Sequence, residues 1–64
     1  MAKLDEYNTK AMLLGGYYNI NAHAIAYVGE DKRVYWRDAD TMQHLNARQV
    51  EGRIITHNAE KGMK

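Results

Sequence analysis

Few residues in this chain could do chemistry. Histidine occurs at His23, His44 and His57, and no two of them stand three or four apart. No single helix turn can therefore present a local pair of metal ligands. Carboxylates cluster once, at Asp38-Ala39-Asp40. Oxygen ligands at that spacing suit magnesium or calcium. The simpler reading gives Asp38 to the end of a strand and Asp40 to the cap of a helix. No base, nucleophile or orienting group stands beside them, so the minimum catalytic set is missing. Cysteine and serine are absent from the sequence, which removes both common nucleophiles, any disulfide and any thiolate zinc site. Gly15-Gly16 lacks the trailing Lys-Ser/Thr and the helix that a phosphate loop needs. The expectation is a non-enzymatic chain with no metal and no cofactor.

What remains is a set of aromatic and cationic residues in alternation. Tyr17, Asn19, Asn21, His23 and Tyr27 share one parity, and Arg33, Tyr35 and Arg37 share another a few residues on. Tyrosine and arginine dominate protein-binding hot spots. The same mixture suits single-stranded nucleic acid, whose bases stack on rings and whose phosphates pair with cations. The expected contact residues are Tyr27, Arg33, Tyr35 and Arg37, with His23 and Tyr17 beside them. His23 could also make binding sensitive to pH, because free imidazole titrates near ~6.5.

Those residues need elements to hold them. Leu4, Tyr7, Ala11 and Leu14 recur at helical spacing, which predicts a helix over Lys3 to Leu14 that stops at Gly15-Gly16. Leu13 lies off that stripe. Strict alternation from Tyr17 to Val28 predicts one strand, although its alanines favour helix. Gly29 to Lys32 is a polar turn, and Arg33 to Asp38 follows as a second strand, which together make a β-hairpin. Val34 and Trp36 then face away from Arg33, Tyr35 and Arg37. Asp40-Thr41-Met42-Gln43 matches a capping box, predicting a short helix to about Ala47. Arg53 to Thr56 is β-branched and reads as a strand; residues 58–64 read as a flexible tail. The fold class is α+β: an N-terminal helix on a small antiparallel sheet, with a short second helix.

One alternative topology stands beside this. If Asn19 to Gly29 were helical, Lys10 to Gly29 would be a helix-turn-helix and Lys32 to Trp36 a wing. The stretch Lys32-Arg33-Val34-Tyr35-Trp36-Arg37-Asp38-Ala39-Asp40 then resembles the small winged-helix excisionases and regulators of phages and plasmids. That resemblance implies DNA binding.

Length and charge bound the function. The 64 residues allow one domain, and no apolar run approaches the ~20 residues of a membrane span. No signal pattern opens the chain, so a cytoplasmic location is expected. Nine basic and eight acidic residues leave a formal net charge of +1, which is not the charge of a strongly basic nucleic-acid binder. A chain this small draws only ~3–5 kcal/mol from one core, which favours a homodimer. The expectation is a small regulatory protein of mobile-element type. It would inhibit or modulate a host macromolecule, a protein first and a nucleic acid as the alternative.

Overall fold

The computed structural model describes residues 2–62. The order is α1 (Ala2–Leu13), β1 (Tyr17–Asn19), β2 (Ala24–Val28), β3 (Val34–Asp38), β4 (His44–Leu45) and α2 (Ala47–Gly62). The four strands form one antiparallel sheet in the order β1-β2-β3-β4. The architecture is α+β, as the sequence predicts.

Register fixes what each face carries, since side chains alternate along a strand. Tyr17 pairs with Ala26, Ala26 with Trp36, and Trp36 with Leu45. This row shares a face with Ala24, Val28, Val34 and Asp38. Tyr18, Ile25, Tyr27, Tyr35, Arg37 and His44 share the other. The helices take opposite faces. Helix α1 lies against β1 and β2, with the Tyr7 ring stacked on Tyr18 at 4.9 Å and both Ala11 and Ile25 fully buried. Helix α2 sends Val50 and Ile54 to Ala22, Ala24, Trp36 and Leu45. Most of the buried residues are alanines, and Ile25 is the largest side chain fully enclosed. Small side chains on β2 let the helices approach closely, but they bury little area each.

The hairpin over residues 29–33 is as expected. Gly29 N–H donates to the Arg33 carbonyl at 2.8 Å and Lys32 N–H to Gly29 at 3.0 Å, with Lys32 in the left-handed region at φ 69°. Gly16 is required by packing: a Cβ there would overlap the backbone carbonyl of Ala26 on β2.

Four expectations are corrected. Residues 17–28 are not one strand. A turn at 20–23 divides them into a hairpin, because the Asn19 side chain accepts the Ala22 N–H at 3.1 Å and His23 adopts φ 49°. There is no helix between residues 19 and 29, so the winged helix-turn-helix does not form. Asp40 to Gln43 opens no helix. Asp38 instead accepts the Asp40 and Thr41 N–H groups, both at 2.8 Å, and Met42 N–H returns to the Asp38 carbonyl at 2.9 Å, turning the chain into β4. Arg53 to Thr56 is helical within α2. The real capping box is at Asn46 and Gln49, whose side chains accept each other's backbone N–H groups at 2.8 and 2.9 Å. Residues 58–62, expected in the tail, continue α2, and residues 63 and 64 lie outside the described residues.

One side chain fastens α2 to the sheet. Arg53 Nη1 donates to the carbonyls of Ala22 and His23 at 3.1 and 3.2 Å, and Nη2 reaches Asp38 Oδ2 at 2.8 Å. Asp38 is thereby held to a pKa of about 2. The Thr41 amide is the largest cause, opposed by partial burial, and the Arg53 and Asp40 donors add to it.

Candidate functional site

Beyond the edge of α1, its face of the sheet carries an aromatic and cationic cluster. Tyr27 and Tyr35 are direct cross-strand partners, with ring centroids 5.9 Å apart and planes inclined by 32°. His44 meets Tyr35 edge-on at 6.2 Å. Arg37 lies among them, and its guanidinium is engaged on three sides. Nε donates to Tyr27 Oη at 3.1 Å, Nη1 to the Met42 carbonyl at 2.6 Å, and Nη2 to His44 Nε2 at 2.9 Å. The Tyr35 hydroxyl donates to Asp31 in the hairpin turn. That bond holds the Asp31 carboxyl below the usual range and pushes the Tyr35 phenol up. Gly29 makes room for the ring, since a Cβ there would stand 2.5 Å from Tyr35 Cε2.

The rings are therefore fixed through their polar tips. Their faces and edges remain half-exposed, and no side chain of the cluster has to find its position on binding. Arg37 acts as the spacer of this platform. Three of its five N–H donors are already taken, which fixes the guanidinium in place and leaves two for a further acceptor.

A second cluster lies where α1 meets the two turns. Tyr7 Oη donates to Asp40 Oδ1 at 2.8 Å. His23 Nε2–H donates to Asp40 Oδ2 at 2.7 Å, which leaves Nδ1 to accept the Tyr18 hydroxyl at 2.9 Å. Lys10 Nζ donates to the Ala39 carbonyl at 3.1 Å. The Asp40 bond raises the Tyr7 phenol to about 12, burial and then the Asp40 charge raise Tyr18, and the Tyr7 and His23 bonds lower Asp40. A hydroxyl, an imidazole and a carboxylate in series resemble a nucleophile with its base and orienting group. Here the hydroxyl belongs to a tyrosine made harder to ionise and stacked beneath Tyr7. The arrangement clamps α1 to the turns at 20–23 and 39–41.

The expected site residues thus divide. Tyr27, Tyr35 and Arg37 come together. Arg33 is exposed just outside β3, beside the platform. His23 belongs to the clamp. Tyr17 is on the opposite face, edge-on to Trp36 at 6.2 Å. His44, Asp31, Tyr7 and Asp40 were not expected to take part. His44 is hidden in sequence because β4 has only two residues, too few to show alternation. Among the described residues, no three His, Cys, Asp or Glu side chains converge to hold a metal ion, and no helix is long and apolar enough to cross a membrane. The chain matches no protein-family model, no curated protein and no solved structure.

Proposed function

We propose that this chain is a small, non-enzymatic regulatory protein of mobile-element type that binds a host protein through the Tyr27–Tyr35–Arg37–His44 platform. The observation that supports this over a nucleic-acid partner is the engagement of Arg37. A cation bonded to Tyr27, Met42 and His44 is held in one position between the rings and contributes shape and rigidity to the platform, with its charge intact beside neutral partners. Hydrogen-bonded tyrosines around a half-buried guanidinium match the composition and preorganisation of protein hot spots.

Nucleic acid is the second reading, favoured by Lys32 and Arg33, both exposed at the hairpin end next to the rings. Salt separates the two. The test is affinity capture from host lysate with and without nuclease, followed by titration of the captured partner. Tyr35→Ala should weaken a protein complex by ~30-fold, about 2 kcal/mol, with little change in salt dependence. If nucleic acid is the partner, capture is lost with nuclease. Lys32→Ala with Arg33→Ala then makes the salt slope shallower by up to ~2. Unchanged binding in both variants would place the functional surface elsewhere.

A further inference from the structure

Arg37 and Arg53 are both half-buried, and the fold treats their charges differently. Arg53 meets a carboxylate, Asp38 Oδ2, at 2.8 Å. Arg37 meets only neutral acceptors: the Tyr27 hydroxyl, the Met42 carbonyl and His44 Nε2. A guanidinium can only donate, so His44 Nε2 carries no proton and that imidazole is neutral. The ion pairs among the described residues are His23–Asp40 and Arg53–Asp38, and neither involves Arg37. Arg37 Cζ also stands 5.8 Å from the Tyr27 ring centroid, near the limit of cation–π range, so the ring offsets little of the charge. A charge drawn partly out of water is normally paired. Once the three bonds are counted, one N–H remains on each of Nη1 and Nη2, and the two oxygens of a carboxylate can take such a pair.

We propose that the platform seats one carboxylate of its partner on the Arg37 guanidinium, an acidic side chain carried in an apolar or aromatic segment of a protein. The inference rests on the platform being a protein-binding surface and names what the partner must bring to it. Three observations select this ligand. First, the chain neutralises Arg53 from within and leaves Arg37 without an anion. Second, the groups around Arg37 are the rings of Tyr27, Tyr35 and His44, which suit apolar or aromatic neighbours on either side of a single anion. Third, a nucleic-acid strand carries a run of phosphates and draws its affinity from a run of cations. Here Lys32 and Arg33 share their turn with Glu30 and Asp31, and the formal net charge is +1. One isolated anion fits that field better than a chain of them.

The probe is a display library of short random peptides, selected on the immobilised full chain and then measured singly by fluorescence anisotropy. The expected result is an aspartate or glutamate at one shared position of the enriched peptides, with apolar or aromatic residues beside it. Changing that acid to its amide should weaken binding at least ~10-fold. Against Arg37→Gln the same change should make little difference, because the group that reads the charge is gone. Arg37→Lys keeps the charge without the fork and should show an intermediate loss. Far-ultraviolet circular dichroism checks that both variants are folded, and the change on the peptide needs no variant at all. Enriched peptides that need Tyr35 but tolerate the amide would overturn this inference and leave the protein-binding reading standing. So would an acid preference that Arg37→Gln and Arg37→Lys leave intact, or a library with no enrichment. Peptides indifferent to Tyr35→Ala would overturn both. An oligothymidylate of the same length that binds more tightly than the best peptide would assign Arg37 to phosphate and overturn the carboxylate.

Discussion

Replacing Asp38 by asparagine probes the joint that holds α2 on the sheet. The carboxylate accepts two backbone N–H groups and the Arg53 guanidinium, and its side chain is only 16% exposed. Its pKa falls from 3.8 to about 2 on folding. At 1.36 kcal/mol per unit that displacement is worth about 2 kcal/mol at most. Arg53 is 35% exposed, and solvent screening there leaves on the order of 1–2 kcal/mol. Because the folded pKa is the lower one, this stability is present above ~3.9 and is lost as pH falls toward 2. About half should be gone by pH 3. Asp38→Asn keeps one acceptor but sets an amide against Arg53, so it should cost ~2 kcal/mol at pH 7 and ~1 kcal/mol at pH 3. That is a large part of the ~3–5 kcal/mol a chain of this size possesses, and it should lower Tm by ~8–16 °C. Urea unfolding followed by Trp36 fluorescence at both pH values gives the two differences. A gap under ~0.5 kcal/mol at pH 7, or one that stays constant down to pH 3, would refute the reasoning. Asp31 and Asp40 also have lowered pKa values, so both proteins retain some acid sensitivity and only the difference reports on Asp38.

Glycine substitutions should act in opposite directions at two positions. Gly16→Ala places a Cβ in the Ala26 carbonyl and should destabilise by ~3 kcal/mol or more in urea. Gly52→Ala, inside α2 with open space around it, should stabilise by ~0.5–1 kcal/mol. Lys32→Gly should add ~1 kcal/mol by relieving φ 69° in the hairpin turn, and a drop in the urea midpoint would contradict this. Ultraviolet titration should find one tyrosine ionising near pH 12, and Asp40→Asn should return it toward 10.

The second hairpin was legible because its signals agree. A polar turn with a leading glycine separates two β-rich runs, and Tyr27 opposite Tyr35 follows from their distances to the turn. The first hairpin was not. Alternation continued through residues 20–23 because Ala22, Ala24 and Ala26 kept parity, while the Asn19 side chain that turns the chain looks in sequence like one more polar residue. Helix α2 was hidden by Arg53-Ile54-Ile55-Thr56, whose β-branched residues imitate a strand, and by Gly52. Its Asn46-to-Gln49 capping box was present but less conspicuous than the pattern at Asp40 to Gln43. Of the site, Tyr27, Tyr35 and Arg37 could be read from parity. His44, Asp31 and the Asp40 clamp could not, since they meet only after turns whose geometry lies in backbone N–H bonds.

The meander order of the sheet has a consequence for how the chain acquires its shape. Each strand pairs with its neighbour in sequence, across turns of a few residues, so every sheet contact closes a short loop at small entropic cost. The two helices are different. Tyr7 reaches Asp40 across 33 positions and Arg53 reaches Ala22 across 31. The sheet can therefore assemble from the β2–β3 hairpin outward within the rapid regime of low contact order. The long-range fastenings of the helices, Tyr7 to Asp40 and Arg53 to Ala22, are expected to close after it, each on its own face. Amide exchange should show the same hierarchy in reverse, with α1 and α2 opening separately while β2 and β3 remain protected.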